Sequence, residues 1–348
     1  MLMQAAQSQG GRDAVKVGVL GAGVIGLSTA LRLCQEVPGI DVTVIAEHFG
    51  SATTSDGAGG LWEPYKLGDT PGELINRWGG ETFQHLQELY FSPEAADAGI
   101  SMISAYQLWS EPHEEPVWRD IVPHFHPLSF AEMAPFEAAG RCRYAHGWCF
   151  TTLICQTRFY LPWLGAKLEA AGARLVERKL TSLQELAGYD VIVNCTGIGA
   201  AALFGDKGVY PVRGQVMRVA APWVKSCYFV NEDNYIIPNL DTVVLGGTAQ
   251  RGDHDTSVRA EDSRRIWEGT LRLMPSLAQA KVEHEWVGLR PGRDTIGDDV
   301  LAYIDGGLTV GKDIGFRCCA SSDLYGSGSW VIVSALCPSG WTIQGLYM

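Results

Sequence analysis

The stretch VKVGVLGAGVIG, residues 15–26, decides the fold of this 348-residue chain. Its first six residues are rich in valine and end in leucine, which is typical of a short buried strand. The next six read Gly-Ala-Gly-Val-Ile-Gly, and apolar residues at helical spacing follow over residues 27–34. A second strand is predicted over residues 42–46, so the sequence predicts a strand–helix–strand unit and a parallel sheet.

The glycine-rich turn has the spacing of a dinucleotide-binding loop. Gly21 permits a tight turn, Gly23 lets the backbone approach a pyrophosphate, and Gly26 allows the helix to pack closely on the strand. The N-terminus of the helix adds unpaired N–H groups and a partial positive charge. Glu47 follows the second strand, where its carboxylate would accept hydrogen bonds from ribose hydroxyls and disfavour the 2′-phosphate of NADP.

The pattern by itself leaves both NAD and FAD open as the dinucleotide. Two features favour FAD. The next strand of the nucleotide domain, residues 190–194, comes after a long insertion, and a loop of small residues, 51–60 (SATTSDGAGG), follows the second strand. Such a loop would let an extended dinucleotide run across the sheet. An NAD-dependent dehydrogenase would also need a proton-relay His or Lys, for which no position stands out.

The predicted fold class is α/β, with a Rossmann-like FAD-binding domain and an inserted substrate domain built on an antiparallel sheet. Composition changes along the chain mark the boundaries. The FAD-binding domain is expected to be discontinuous, and residues 1–14 to be a flexible tail. The predicted segments are 15–65, 141–205 and 286–348 for the FAD-binding domain, and 66–140 and 206–285 for the substrate-binding domain.

Composition excludes several classes of protein. A formal net charge of −12 argues against nucleic-acid binding, because phosphate contacts dominate that affinity. The chain contains no apolar run as long as the roughly 18–20 residues of a membrane span. The nine cysteines are odd in number and form no CxxC pair, so neither a disulfide framework nor a metal site is predicted, and a reduced intracellular compartment is expected.

The chain resembles the D-amino-acid oxidase and D-aspartate oxidase family of flavoenzymes. The resemblance runs in order from about residue 15 to residue 293, and its motifs are VGVLGAGVIGLSTAL, TTSDGAGGLWEPY, FTTLICQTRFYLPWL, DVIVNCTG, PVRGQVMRV, NYIIP, VVLGGTAQRGD and VGLRP. It implies that FAD takes a hydride from the Cα of a D-amino acid to its N5 atom, without a protein base. The products would be a 2-oxo acid, ammonia and, from oxygen, hydrogen peroxide.

The resemblance also implies roles for individual residues. Arg290 matches the arginine that binds the substrate carboxylate, Tyr235 matches a tyrosine that reaches the same group, and Glu63 lies next to the flavin-facing loop. A planar guanidinium suits a carboxylate because it pairs with both oxygens. The expected FAD-binding residues are Gly21, Gly23, Val24, Ile25, Gly26, Glu47, Thr53, Thr54, Ser55, Gly60, Leu61, Trp62 and Leu180.

The sequence departs from the family pattern in ways that bear on the substrate. Asn231 stands where the family has a second pocket tyrosine, and Ala249 stands where the D-aspartate branch carries an arginine. A carboxylate at Glu63 would repel an acidic substrate side chain and favour a neutral or basic one. The overall likeness to the D-aspartate branch instead favours an acidic substrate. Arg251 or Arg213 could then supply the cation that pairs with its second carboxylate. D-aspartate oxidase therefore stays open as the alternative.

The largest departure lies beyond residue 296, where the family's histidine-bearing glycine loop and final helix are not recognisable. A change of reading frame or an alternative exon near this point is one hypothesis that the composition supports. It would disrupt the flavin site and leave an inactive family member. The resemblance leaves a homodimer open. It also implies a peroxisome, but the final residues carry no peroxisomal signal, so a cytoplasmic location is expected.

Overall fold

A computed structural model describes residues 14–294, except 66, 69, 141, 232 and 233, and the backbone of residues 317–319 and 331–334. The helices are α1 Val24–Glu36, α2 Gly72–Tyr90, α3 Phe130–Gly140, α4 Thr157–Ala170, α5 Ala200–Leu203 and α6 Ala260–Leu273. The strands are β1 Val15–Leu20, β2 Ile40–Ala46, β3 Ile100–Trp109, β4 His126–Pro127, β5 His146–Cys155, β6 Arg174–Glu177, β7 Val191–Asn194, β8 Tyr210–Ala220, β9 Cys227–Val230, β10 Asn234–Pro238, β11 Val243–Gly246, β12 Gln250–Arg251, β13 Lys281–Gly292, β14 Arg317–Cys319 and β15 Val331–Ser334.

The first sheet is the predicted parallel sheet. Its order is β14-β15-β7-β1-β2-β6, and the strands are parallel except for β14, which pairs antiparallel with β15. Val17 and Val19 of the central strand β1 are completely buried, as expected of a strand covered on both faces. The α1 helix crosses from β1 to β2, so the strand–helix–strand unit and the α/β fold class are confirmed.

Two predictions concern residues that lie mostly outside the described part of the chain. They are the flexible tail 1–14 and the departure from the family pattern beyond residue 296. Of the second segment the structure describes only the backbone of β14 and β15. There β15 pairs in parallel with β7 over four residues, from Val331 opposite Val191 to Ser334 opposite Asn194.

The second sheet is the predicted antiparallel one. It has nine strands, in the order β12-β8-β11-β10-β9-β3-β5-β4, with β13 paired to β8 along most of its length. Only β3 and β9 run parallel. The helix α4 follows β5 directly, begins at Thr157 and contains Pro162. Residues 66–140, which were predicted to belong to the substrate-binding domain, contain α2 and β3, and buried side chains of both belong to the main hydrophobic core.

A buried arginine ties the two sheets together. Arg218 of β8 is 4% exposed and donates from Nη2 to the carbonyl oxygens of Asp56 (3.5 Å) and Ala58 (3.2 Å). The neighbouring Asn239 donates to the carbonyl oxygen of Gly59 at 2.9 Å. These bonds hold the small-residue loop after β2 against the antiparallel sheet.

A second buried arginine organises the edge of the antiparallel sheet. Arg213 is completely buried, and its Nη1 atom lies 2.8 Å from the carboxylate of Asp262. The same guanidinium donates to the side chains of Gln250 and Gln215 and to the carbonyl oxygens of Asp255 and Ser257. Burial of a charge is tolerated when every donor has a partner, so this network fixes β8, β12 and α6 relative to one another.

Among the helices that the structure describes, none has both the length and the hydrophobicity of a membrane-spanning segment.

Replacing Asp262 by Ala should destabilise the fold by about 3–5 kcal/mol, because it leaves the Arg213 charge buried without its carboxylate. Urea unfolding followed by tryptophan fluorescence measures the change. Asp294→Ala is the matched control, since Asp294 pairs with Arg251 on the surface and an exposed pair contributes about 0–1 kcal/mol. Equal losses in the two variants would contradict the assigned role of Arg213.

Candidate functional site

A cavity of about 720 Å³ opens at the carboxyl ends of β1, β2 and β7. Ligands bind at this edge of open parallel sheets, at the point where the strand order reverses. Here β1 lies between β2 on one side and β7 on the other, so the cavity lies at that reversal. Its walls are formed by the glycine loop, the start of α1, the end of β2 and the turn after β7.

The glycine loop has the close backbone approaches that its sequence predicts. Gly21 has a φ of +103°, and a Cβ atom on it would lie 2.3 Å from the carbonyl oxygen of Cys195 at the end of β7. A side chain at this position would therefore push the loop away from the sheet. A Cβ atom on Gly26 would lie 1.8 Å from the carbonyl oxygen of Gly21, which explains why the helix can start so close to the strand.

The start of α1 fits a phosphate group. The helix begins after Gly23 with no side-chain cap and no acidic residue in its first turn. The Val24 N–H donates to the hydroxyl of Ser55 at 3.0 Å, so the small-residue loop reaches the helix N-terminus. The N–H groups and helix dipole here favour an anion, and the hydroxyl lies at the same point.

The other end of the cavity fits a ribose. Glu47 ends the second strand on the surface, and its carboxylate accepts a hydrogen bond from Lys179 Nζ at 2.8 Å. That hydrogen bond lowers the pKa of the Glu47 carboxyl below its ordinary value, although desolvation acts in the opposite direction. Glu47 is therefore ionised at neutral pH, as a group that accepts hydrogen bonds from hydroxyls must be.

Nine of the thirteen residues predicted to bind FAD line this cavity. They are Gly21, Gly23, Val24, Ile25, Glu47, Thr53, Thr54, Ser55 and Leu180. Gly26 lies behind the loop, against Gly21. The remaining three lie at and just after the end of the small-residue loop and are not among the described lining residues: Gly60, Leu61 and Trp62 run along β5.

The segment 60–62 is held in the core by the backbone of β5. The carbonyl oxygen of Gly60 accepts the Cys155 N–H at 2.7 Å, and the Trp62 N–H donates to Leu153 at 2.8 Å. The Trp62 ring is 1% exposed and packs edge-to-face on Phe83, with ring centroids 5.0 Å apart. The structure gives the Trp62 side chain a packing role, and contact of this segment with the flavin stays a prediction.

Arg290 and Tyr235 come together in the structure although they are far apart in sequence. Arg290 lies on β13 and donates from Nη1 to the carbonyl oxygen of Thr248 at 3.0 Å. Tyr235, on β10, is 3% exposed. Burial raises the pKa of Tyr235 to about 12, although the Arg290 guanidinium nearby acts in the opposite direction. The phenol is therefore protonated at neutral pH and is able to donate a hydrogen bond to a carboxylate.

The structure adds residues to this pair that sequence reasoning missed. The charge of Arg218 and the phenol of Tyr65 both interact electrostatically with Tyr235. Tyr65 lies at the end of the motif TTSDGAGGLWEPY, so its position next to Trp62 and Glu63 was the available signal. Arg218 carried no signal, because an arginine inside a strand gives no indication of the loop that its guanidinium reaches.

Glu63, which was predicted to face the substrate, is a buried carboxylate. Glu63 is 3% exposed, and its charge contributes to the raised pKa of the buried Cys227 thiol, after burial itself. Its role toward the substrate stays a prediction.

Asn231 has a φ of +52°, and its Oδ1 atom accepts the Ser110 N–H at 2.8 Å. At the position of the family's second pocket tyrosine, the chain thus has a turn residue bound to the neighbouring loop.

The turn after β7 forms a cavity wall that the sequence analysis did not assign. Thr196, Gly197 and Ile198 line the cavity, and Asn194 Oδ1 accepts hydrogen bonds from the N–H (3.1 Å) and hydroxyl (2.7 Å) of Thr196. The signal was available in the motif DVIVNCTG, because the residues after a parallel strand lie at the ligand-binding edge.

Comparison with known proteins identifies relatives along most of the chain. The family model described as FAD dependent oxidoreductase (DAO) matches residues 16–342. D-aspartate oxidase of Homo sapiens is 42% identical over 287 residues, which cover 81% of this chain and 82% of the relative. D-amino acid oxidase of Dugesia ryukyuensis is 30% identical, covering 80% and 84%. The fold is similar to that of glycine oxidase from Geobacillus kaustophilus, with a TM-score of 0.69, 19% identity, and coverage of 94% and 93%.

Replacing Glu47 by Ala should weaken FAD binding roughly 10- to 100-fold, because hydrogen bonds from the ribose to a charged acceptor are lost. Fluorescence titration of the apoprotein with FAD measures the change. Glu177→Ala is the control, since Glu177 is an exposed carboxylate at the end of the neighbouring strand β6. Equal affinity of wild type and Glu47→Ala for FAD would contradict the placement of the ribose.

Proposed function

The chain belongs to the family of FAD-dependent oxidoreductases, and from this premise we propose that it binds FAD and oxidises D-amino acids to 2-oxo acids, with release of ammonia and hydrogen peroxide. The observation that carries the proposal is the placement of β13. Leu289 and Pro291 of this strand line the dinucleotide cavity. The guanidinium of Arg290, which lies between them in the sequence, is close to the phenol of Tyr235. A cofactor site and a carboxylate site thus meet on one strand.

The residues around the cavity fit the pyrophosphate and the adenosine ribose of FAD. The N-terminus of α1 and the hydroxyl of Ser55 suit the pyrophosphate, and Glu47 suits the ribose of the adenosine. Bound FAD would supply the acceptor for the hydride from the substrate Cα and the route by which the electrons reach oxygen. The task that remains for the protein is to bind and orient the amino acid.

Arg290 and Tyr235 would perform that task through the substrate carboxylate. The guanidinium is permanently charged and pairs with a carboxylate through two parallel hydrogen bonds, which fixes the orientation as well as the position of the substrate. Tyr235 adds a neutral donor, since burial keeps its phenol protonated. A D-amino acid held in this way presents its Cα in one orientation, while no side chain is needed to remove the Cα proton as a base.

D-aspartate oxidase is the second candidate, and the 42% identity to the human enzyme of that name supports it. A second substrate carboxylate would need a second cation. The two arginines that the sequence offered are both engaged by carboxylates of the chain itself, Arg213 by Asp262 and Arg251 by Asp294. This engagement favours D-amino acids with neutral side chains.

The homodimer and the cytoplasmic location stay predictions from the sequence.

The visible spectrum of the purified protein tests the proposal directly. We expect a flavin absorption band that bleaches when D-alanine or D-aspartate is added under anaerobic conditions and returns when oxygen is admitted. Faster bleaching by D-alanine would support the neutral substrate, and faster bleaching by D-aspartate the second candidate. A protein that takes up FAD and is bleached by neither, or that takes up no FAD, would contradict the proposed activity and support the inactive family member.

Replacing Arg290 by Ala should raise KM for the D-amino acid at least about 100-fold while the protein keeps its FAD, because a bidentate, charge-assisted contact is lost. Steady-state kinetics and the flavin-to-protein absorbance ratio measure the two effects. Arg251→Ala is the matched control, as this arginine lies on the surface. Unchanged KM in Arg290→Ala would rule out the carboxylate role.

A further inference from the structure

We propose that Gly214 is a positioning residue for substrate binding, because the space left by its missing side chain holds the Arg290 guanidinium in place. The inference rests on the proposed function, since it concerns the same carboxylate site. Gly214 lies within the motif PVRGQVMRV, in the middle of β8, where a glycine normally weakens a strand. Such a glycine needs a reason, and the structure supplies one.

The register between β8 and β13 places Arg290 and Gly214 on one face of the sheet. Arg290 pairs with Val212, and Gly288 pairs with Gly214 two residues along β8. In an antiparallel pair, positions two residues apart project on the same side, and a long side chain reaches this diagonal neighbour. The Arg290 side chain extends along the strand in this way and ends over Gly214.

The guanidinium occupies the place that a side chain at position 214 would fill. A Cβ atom on Gly214 would lie 2.3 Å from Nη1 of Arg290 and 2.6 Å from both Cζ and Nη2. Real Cβ atoms essentially never approach a heavy atom closer than 3.0 Å. The backbone of Gly214 lies outside the left-handed region, so its conformation allows alanine, and the three heavy atoms nearest to an added Cβ atom all belong to the Arg290 guanidinium.

The guanidinium cannot move aside without losing a hydrogen bond. Its Nη1 atom donates to the carbonyl oxygen of Thr248, and Thr248 is itself held on β8, because its hydroxyl accepts the Gln215 N–H at 2.8 Å. One edge of the planar group is thus attached to Thr248, and one face lies on Gly214. A methyl group at position 214 would tilt the plane or break the bond to Thr248, and either change misaligns the two hydrogen bonds to a carboxylate.

The ring of Tyr235 also packs against glycines, Gly246 and Gly247, just as the Arg290 guanidinium packs against Gly214. A Cβ atom on Gly246 would lie 2.0 Å from Cζ of the Tyr235 ring, and one on Gly247 would lie 2.6 Å from its hydroxyl oxygen. Both groups that we propose to bind the carboxylate therefore occupy space that a side chain on a glycine of the sheet would fill. Position 214 gives the sharper test, because Arg290 supplies the charge.

A double-mutant cycle tests the inference with wild type, Gly214→Ala, Arg290→Ala and the double variant. The substrate is whichever of D-alanine and D-aspartate the wild type oxidises faster, and the readouts are kcat, KM, kcat/KM, FAD content, and the Kd for propionate from the flavin spectrum. We expect Gly214→Ala to raise KM and the propionate Kd at least about tenfold, with kcat and FAD content nearly unchanged. In the Arg290→Ala background, the same substitution should change kcat/KM less than about twofold.

Two controls separate positioning from general damage. Gly188→Ala adds a methyl group where no atom lies within 4 Å, and it should leave all readouts unchanged. The pair Arg290→Lys and Gly214→Ala/Arg290→Lys repeats the test with a thinner side chain, so the penalty of the alanine should be smaller there than with arginine. This second pair still decides the question if Gly214→Ala alone is poorly folded.

Several results would overturn the inference. They are an equal loss of kcat/KM from Gly214→Ala in all backgrounds, a loss of FAD content, or an unchanged KM. These outcomes are distinct from failure of the proposed function. If the proposed function fails, the flavin of the wild-type protein will neither respond to propionate nor bleach with a D-amino acid.

Discussion

The candidate site depends on the pairing of β13 with β8, because that pairing decides which side chains of β13 face the cavity and which face Thr248 and Tyr235. Successive residues of a strand project to opposite faces. Leu289 and Pro291 therefore line the dinucleotide cavity, whereas Arg290 projects toward Thr248. A shift of the register by one residue would reverse this arrangement and place the charge on the cofactor side.

The same strand also joins the loop after β2 to the antiparallel sheet. The ring of Trp286 lies over two glycines, Gly57 in that loop and Gly288 on β13 itself, where added Cβ atoms would come within 2.2 Å and 2.0 Å of it. Arg218 holds the neighbouring carbonyl groups of Asp56 and Ala58. The small-residue loop and the strand that carries Arg290 are thus fixed to each other by the Trp286 ring and the buried charge of Arg218.

Buried charge has two different roles in this acidic chain. Arg213 is completely buried and satisfied by Asp262, by amide side chains and by carbonyl oxygens, which suits a structural role. Arg290 is half-buried and rests on glycine next to a protonated tyrosine, which suits a group that must receive an anion from outside. In the sequence both are arginines within motifs of the family resemblance, and only their surroundings in the structure distinguish them.

The sequence by itself determined the parallel sheet, the glycine loop, and nine of the residues that line the cavity. The sheet and the glycine loop follow from local patterns: β-branched residues make strands, and glycine spacing fixes a turn whose function depends on its own backbone. The assignments of Thr53, Thr54, Ser55 and Leu180 came instead from the family resemblance. The tertiary structure alone decided that Tyr65 and Arg218 lie near Tyr235, that Trp62 packs in the core, and that the Arg290 guanidinium lies over Gly214. These contacts join residues far apart in the chain, so they depend on the register between strands, which no local stretch of sequence encodes.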